Sequence, residues 1–145
     1  MIHGGCISLN LQAETKEEII GELVDMLAVQ GKLIDRDRVI RDVLEREKVL
    51  STGMPNGVAL PRAMTTGAAE AAAALGIKRE GIDFGSPGGG NVRIFILTVS
   101  PGEPALEYYD FLAAAVEILG KSEFRGRMLE SLSEDQMLEL LRCGG

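Results

Sequence analysis

Hydrophobic positions recur at helical spacing in the first third of the chain. Between residues 15 and 31 they fall at intervals of three and four, which predicts an amphipathic helix that buries Ile19, Ile20, Leu23, Val24, Leu27 and Ala28. Thr15, with Glu18 three residues later, is a capping box that begins this helix, and Gly31 ends it. Asp35 caps a second helix, whose predicted buried face consists of Val39, Ile40, Val43 and Leu44.

Strand patterns occupy the middle of the chain, and one precedes the first helix. Residues 6–11 alternate apolar and polar side chains, and residues 58–60 form a short apolar run after a turn-rich segment, 51–57. Residues 92–99 contain four consecutive apolar residues, which predicts a central strand covered on both faces. The alanine-rich segment 68–75 has helical propensity. The glycine-rich segment 80–90 is predicted to be a loop.

The last third of the chain is predicted to be helical. Pro104 begins a helix that runs to Leu119, and its two apolar stripes predict that it is well buried. The first stripe is Leu106, Tyr109, Leu112, Ala113, Val116 and Leu119, and the second is Tyr108, Phe111, Ala115 and Ile118. Two further helices cover residues 122–130 and begin at Ser133, where Gln136 is the capping partner. This order of elements suits a mixed sheet with helices on both faces.

Length and charge narrow the class of protein. The chain has 145 residues and a formal net charge of −7, and we expect one domain, 1–145, with residues 1–5 as a flexible leader. The acidic balance argues against nucleic-acid partners and against a polybasic membrane anchor. No apolar run approaches the ~20 residues needed to cross a bilayer, and residues 1–6 lack the pattern of a signal peptide. We therefore predict a cytoplasmic location and no membrane insertion.

Histidine and cysteine usage excludes several kinds of chemistry. The one histidine, His3, lies in the leader, so catalytic triads and three-histidine zinc sites are excluded. No metal or cofactor is expected. Cys6 and Cys143 are predicted to be free thiols rather than a disulfide, because cytoplasmic proteins keep their thiols reduced.

The candidate chemistry lies between residues 46 and 63. This segment contains, in order, Arg46-Glu47-Lys48, Ser51-Thr52-Gly53 and Ala59-Leu60-Pro61-Arg62. At these spacings it resembles the active-site signature of enzyme IIA (EIIA) of the bacterial sugar phosphotransferase system, in its fructose, mannitol and nitrogen-regulatory class (EIIA type 2). The similarity extends from about residue 6 to residue 141, and segments 76–85 and 122–125 also look like the family.

The resemblance implies a fold. It is a three-layer α/β/α arrangement around a mixed, roughly five-stranded sheet, the phosphotransferase/anion transport protein fold. It also implies that residues 71–77 form a strand, since pairing in a sheet can override the helical propensity of alanine. The cytoplasmic domain of anion exchangers shares this architecture without transferring phosphoryl groups, so the fold alone does not decide the function.

The resemblance also assigns candidate residues for binding an anion or phosphate. Arg46 matches the arginine that helps to hold the phosphoryl group, and Ser51 and Thr52 match the hydroxyl-bearing turn beside it. Each has a plainer alternative that stays open. Arg46 could be a solvated helix-end residue paired with Glu45 or Glu47, and the two hydroxyls could bond to the backbone of their own turn.

Arg62 falls at the position of the family's phosphorylated histidine, and Tyr108 falls at its second histidine. A neutral imidazole can accept a phosphoryl group, whereas a guanidinium stays protonated and has no lone pair with which to attack. Tyr108 is predicted to pack rather than to react. No catalytic residue is therefore assigned. Pro55, where the family usually has glycine, is predicted to stiffen or redirect the loop.

Arg62 would form a cationic pocket with Arg46. Like charges repel unless an anion or a carboxylate joins them. Arg62 could form an internal salt bridge to Glu107 or Asp110, or it could face a bound anionic ligand or the carboxylate of a partner protein. Both alternatives stay open.

Three functions compete. The first is a regulatory or binding module, not an enzyme, that lacks the phosphoryl-accepting histidine and contacts a small anion, a phosphotransferase-system protein, a transporter or a regulator. The second is an active phosphoryl carrier for sugar transport or nitrogen regulation that uses an atypical residue, for which Asp110 is the candidate acyl-phosphate former. The third is a structural or oligomerising domain, with exposed Met54 and Met64 as adaptable contacts.

Overall fold

The computed structural model describes Ile2 and residues 4–143. Met1, His3, Gly144 and Gly145 lie outside the described residues, and with them the predictions for His3 and for part of the leader. Ile2 packs against the hydrophobic cluster on one face of the sheet. The backbone N–H of Gly5 donates to the carboxylate of Glu134.

Five strands and five helices make up the described chain. They are, in order, β1 (Ile7–Ser8), α1 (Lys16–Val29), α2 (Arg36–Val49), β2 (Val58–Ala59), β3 (Arg62–Met64), β4 (Ala72–Asp83), β5 (Asn91–Ser100), α3 (Leu106–Leu119), α4 (Ser122–Glu130) and α5 (Glu134–Cys143). The strands form one sheet in the order β1-β4-β5-β2, and β3 also pairs with β5. β4 and β5 are antiparallel, and the other pairs are parallel. The predicted mixed sheet is confirmed.

The sheet separates two hydrophobic clusters. Alternate residues of β5 point to opposite faces, so that Phe95, Leu97 and Val99 meet α1 and α2, whereas Ile94 and Ile96 meet the C-terminal helices. This arrangement gives the three layers that the sequence predicts. It also explains why β5 is apolar on both faces.

The alanine-rich segment is a strand, as the family resemblance implies. Ala73 in β4 pairs with Thr98 in β5, and its side chain is fully buried. β4 continues to Asp83 through an irregularity between Ile77 and Ile82, so the prediction of a loop from residue 80 is wrong for its first four residues. Gly81 has a φ of +74° within this irregular stretch, a conformation that glycine adopts at little cost.

Local capping rules place the helix ends correctly. The side chains of Thr15, Asp35 and Ser133 accept hydrogen bonds from backbone N–H groups of their helices, at 3.2, 3.1 and 3.0 Å. Gly31 follows α1 with a φ of +73°. The predicted free thiols are also confirmed, since Cys6 is buried and unpaired and Cys143 is exposed.

The prediction that α3 is well buried is wrong. Of its residues only Tyr108, Ala115 and Leu119 are buried, whereas Leu106 is 74% exposed and Val116 is 49% exposed. The reason is that α3 lies on the outside of the domain, with one side against the sheet and most of the first stripe uncovered by any described residue. We call the stripe of Leu106, Tyr109, Ala113 and Val116 the outer face of α3. No helix in the described part of the chain is long and apolar enough to span a membrane.

Candidate functional site

Three of the residues singled out from the sequence come together in one small cavity. Arg46, Arg62 and Tyr108 line a space of about 160 Å³, which we call the two-arginine cavity. The remaining lining residues are Ala63, Met64, Pro104, Tyr109 and Leu112. The cavity lies where the end of α2, the short strand β3 and the first turns of α3 meet.

Strand register positions Arg62. It is the first residue of β3 and pairs with Thr98 of β5, whose backbone N–H donates to the carbonyl of Pro61 at 3.0 Å. The hydroxyl of Thr98 lies 2.9 Å from the hydroxyl of Tyr108 in a buried hydrogen bond. The central strand therefore brings together the two positions that sequence similarity associates with phosphoryl transfer. Half-buried Arg62 donates a hydrogen bond from Nη1 to the carbonyl of Leu60 at 3.4 Å.

Helix α2 positions Arg46 near its C-terminal end. Its Nη1 donates to the carbonyl of Leu50 at 3.1 Å, which satisfies an acceptor that a helix end leaves free. Neither acidic neighbour pairs with it, because Glu45 binds Lys48 and Glu47 binds Lys16. Arg46 is thus both a helix-end residue and a lining residue of the cavity.

The two-arginine cavity has an unbalanced positive charge. Within the described chain Arg62 forms no ion pair, and the exposed side chains of Glu107 and Asp110 do not reach it, so the internal salt bridge considered for Arg62 is not formed. Arg46 also lacks a carboxylate partner among the described residues. Forked N–H donors of this kind suit the oxygens of a phosphate or a carboxylate.

Two neighbouring tyrosines have different environments. Tyr108 is 5% exposed and hydrogen-bonded to Thr98, which fits the packing role predicted for it. The hydroxyl of Tyr109 donates to Glu103 at 3.2 Å. Partial burial and the Glu103 carboxylate raise the pKa of Tyr109, so its phenol remains a donor at neutral pH. Sequence reasoning missed Tyr109 and Leu112 as lining residues, although their positions one turn apart beside Tyr108 were a usable signal.

Ser51 and Thr52 lie outside the lining of the two-arginine cavity. The hydroxyl of Ser51 donates to the carbonyl of Phe84 at 3.1 Å and accepts from the N–H of Gly53 at 3.1 Å. The hydroxyl of Thr52 donates to the carboxylate of Glu47. The Ser51 hydroxyl thus bonds to backbone groups, as in the plainer alternative considered for it. The Thr52 hydroxyl instead bonds to a side chain, which neither alternative foresaw.

A buried carboxylate beneath this loop was not foreseen. The side chain of Glu47 is 2% exposed, and it accepts from the N–H of Thr52 at 3.1 Å and pairs with Lys16 Nζ at 2.9 Å. Lys16 Nζ also lies 4.7 Å from the centroid of the Phe84 ring. Glu47 therefore ties the start of α1 and the end of α2 to the loop that leads into β2 and the site.

Pro55 occupies a turn that suits its fixed φ. The N–H of Gly57 donates to the carbonyl of Met54 at 3.1 Å, which makes Pro55 the second residue of a four-residue turn. Gly57 has a φ of +85°. The expectation of an exposed Met54 is wrong, because its side chain packs against the hydrophobic cluster below, whereas Met64 is 61% exposed as expected.

The fold and the site define the class of protein: a three-layer α/β domain whose central strand ends beside an arginine-lined cavity. The chain belongs to the EIIA type 2 family. The family described as "Phosphoenolpyruvate-dependent sugar phosphotransferase system, EIIA 2" matches residues 1–143. No group of three or more His, Cys, Asp or Glu side chains in the described residues could hold a metal ion.

Two relatives and two solved structures show how far the similarity extends. The chain is 30% identical over 135 residues to the fructose-specific EIIABC component of Bacillus subtilis, covering 93% of this chain but 21% of that protein. It is 28% identical to the fructose-specific EIIA component of Haloferax volcanii, covering 93% and 88%. A complex of enzyme IIA mannitol with phosphorylated enzyme IIB mannitol from Escherichia coli matches with a TM-score of 0.82 at 23% identity, covering 98% and 97%. The nitrogen regulatory protein IIA-Ntr from Neisseria meningitidis matches with a TM-score of 0.81 at 23% identity, covering 94% and 93%. At such identities the structures confirm the fold.

Proposed function

We propose that this chain is a regulatory or binding module of the EIIA type 2 family that binds an anionic group in the two-arginine cavity and does not carry a phosphoryl group. The observation that supports this most is the meeting of Arg46 and Arg62 in one cavity without a carboxylate partner among the described residues. Two unpaired guanidinium groups at one site favour an anion that joins them.

The chemistry of the site argues against a covalent carrier. A nucleophile must offer a lone pair to phosphorus, and arginine stays protonated at any physiological pH. Tyr108 is buried and its hydroxyl is engaged with Thr98. Asp110, considered as an alternative acceptor, is exposed and does not line the cavity.

The size of the cavity limits what it can hold. A space of about 160 Å³ is below the ~300 Å³ at which pockets for small organic ligands begin, so it suits a phosphate or carboxylate group rather than a whole sugar. We propose that this group belongs to a phosphotransferase-system protein, a transporter or a regulator. The relative from Escherichia coli is seen in complex with phosphorylated enzyme IIB mannitol, which supports a protein partner. The outer face of α3 reaches the rim of the cavity at Tyr109 and offers apolar contacts.

Anion binding is tested by titrating the protein with inorganic phosphate at constant ionic strength and following the melting temperature and the backbone amide spectrum. Arg62→Ala is expected to weaken binding at this cavity about tenfold, because it removes a charge-assisted contact. Arg127→Ala is the matched control, since Arg127 is an exposed arginine on α4 that pairs with Glu123. Equal affinity of Arg62→Ala and wild type, or no binding near Arg46, would refute the proposed anion site.

Family membership favours one alternative, an active carrier that uses an atypical residue. A repair variant separates it from the binding module. Arg62→His supplies an imidazole but leaves Tyr108 in place of the second histidine, so we expect little phosphoryl transfer from it. Strong labelling of this single variant would show that the Tyr108 position matters less than we propose.

A further inference from the structure

A second cavity with unpaired arginines lies at the other end of the central strand. It has a volume of about 430 Å³. Two arginines, Arg93 and Arg125, lie in its lining. The polar side chains and glycines around them are Asn56, Asn91, Ser122, Gly57, Gly90 and Gly126. Arg93 precedes Thr98, the partner of Arg62, by five residues on β5, which separates the two cavities by roughly 16 Å along the strand. We call this second space the Arg93–Arg125 cavity.

Neither arginine of this cavity has a carboxylate partner in the described chain. The backbone N–H of Arg93 donates to the carbonyl of Gly57 at 2.9 Å, but no hydrogen bond or ion pair engages its guanidinium among the described residues. Arg125 donates from Nη1 to the carbonyl of Leu119 at 2.8 Å, which holds its side chain in place and leaves its other N–H groups available. The protein has a net negative charge, whereas this cavity, with its two arginines, is locally positive.

The other lining residues add hydrogen-bonding groups to the cavity and no carboxylate. Asn56 donates to the same carbonyl of Leu119 at 3.4 Å, so it is fixed beside Arg125. Ser122 begins α4, and the residue before it, Lys121, gives that helix no side-chain cap. On α4, the carboxylate of Glu123, next to Ser122 in the chain, pairs with Arg127 at 2.8 Å.

We propose that the Arg93–Arg125 cavity binds the phosphate group of a small phosphate monoester or free inorganic phosphate, independently of the two-arginine cavity. Two guanidinium groups on different elements can hold a phosphate from two sides. The volume exceeds that of the two-arginine cavity and lies within the range of pockets that take small organic ligands. The phosphate group is thus held by Arg93 and Arg125, and the organic part occupies the remaining space toward Pro55 and Leu129.

The test follows backbone amide resonances of the full chain during titration with inorganic phosphate and, separately, with glucose 6-phosphate, both at constant ionic strength. We expect shifts at Gly57, Gly90 and Gly126 with either probe. A tighter response to glucose 6-phosphate identifies the monoester as the better ligand, and equal responses identify the phosphate group as the whole determinant. No shift of these glycines with either probe overturns the proposal.

Variants separate this cavity from its surroundings. Arg93→Ala is expected to weaken binding about tenfold without affecting the fold, because the side chain makes no hydrogen bond or ion pair with the described residues. Arg62→Ala and Arg127→Ala are controls and are expected to leave these shifts unchanged. If Arg93→Ala titrates like wild type, or if Arg127→Ala weakens binding equally, the proposal is wrong.

Gly126 provides a second, independent pair of variants. A Cβ atom built on it meets nothing within 4 Å, so a side chain there enters open space. Gly126→Glu brings a carboxylate to the cavity and is expected to abolish phosphate binding. Gly126→Ala adds one methyl group and is expected to keep the affinity within about twofold of wild type. Unchanged binding in Gly126→Glu would also overturn the proposal.

Discussion

The buried carboxylate of Glu47 offers a sharp test of how the loop beside the site is held. Glu47→Ala removes the acceptor for the N–H and hydroxyl of Thr52 and the ion-pair partner of Lys16. It also leaves a space at a position whose side chain is 2% exposed. We therefore expect this variant to be folded but less stable, with a looser loop between α2 and β2.

The magnitude follows from the burial of each partner. Removing one member of a fully buried ion pair costs about 3–5 kcal/mol, because the other charge is left without a partner. Lys16 is 22% exposed and can regain some water, which favours the lower end, about 3 kcal/mol. For a chain of 145 residues this loss corresponds to a fall of roughly 6–12 °C in melting temperature.

Urea unfolding followed by circular dichroism measures this loss directly. The matched control is Glu45→Ala on the same helix, where the Glu45–Lys48 pair is 64% and 73% exposed. We expect the control to change the free energy of unfolding by less than about 0.5 kcal/mol. If Glu47→Ala and Glu45→Ala unfold within about 1 kcal/mol of each other, the assignment of Glu47 as the anchor of the loop is refuted.

Three further predictions follow from other parts of the fold. Arg79 donates hydrogen bonds to the backbone carbonyls of Leu9, Leu129 and Ser131 at 2.7–2.8 Å. Arg79→Ala should therefore lower the free energy of unfolding in urea by about 1–3 kcal/mol, and an unchanged midpoint would contradict this. A thiol reagent at neutral pH should label exposed Cys143 first and buried Cys6 only on unfolding. Burial raises the pKa of the Cys6 thiol above its ordinary value, so wild type should lose stability as the pH rises through that raised pKa, and Cys6→Ala should not show this loss. Gly53→Ala would bring a Cβ into a steric clash with the Oγ of Ser86 and should cost about 1–3 kcal/mol, with a smaller loss in a Ser86→Ala background. Ser86→Ala alone removes a buried hydroxyl that has no hydrogen-bond partner among the described residues, and it should be close to neutral.

Local signals in the sequence predicted the parts of the fold that depend on neighbouring residues. The side chains of Thr15, Asp35 and Ser133 each accept from a backbone N–H three residues later, so these caps could be predicted from short stretches of sequence. The strand at 72–83 has helical propensity at its start, and only similarity to a family indicated that residues 71–77 form a strand; the structure shows that this strand pairs with β5.

Features that depend on distant contacts were not predictable in this way. Periodicity showed that α3 has two apolar stripes, but it could not show that most of the first stripe is exposed. From the sequence, Glu47 was considered only as a possible ion-pair partner of Arg46. Its partner Lys16 lies 31 positions earlier in the chain, and only the fold brings the two together.

The sequence predicted which residues meet at the candidate site, but not whether a carboxylate balances their charge. Sequence similarity placed Arg46, Arg62 and Tyr108 at one site, and all three line the same cavity. Whether a carboxylate neutralises Arg62 depends on where the side chains of Glu107 and Asp110 point, and helix spacing does not determine that. The hydrogen-bond partners of the Ser51 and Thr52 hydroxyls, which are Phe84 and Glu47, were likewise not predictable from the sequence.

An assay of phosphoryl transfer is the most direct test of the central claim, which is that Arg62 helps to bind an anionic group and that the chain does not carry a phosphoryl group. The measurement incubates the full chain with the general phosphotransfer proteins and labelled phosphoenolpyruvate, then follows stable label on the protein. We predict that wild type takes up none, while inorganic phosphate still binds at the two-arginine cavity. Stable, stoichiometric label on the wild-type chain would contradict the account.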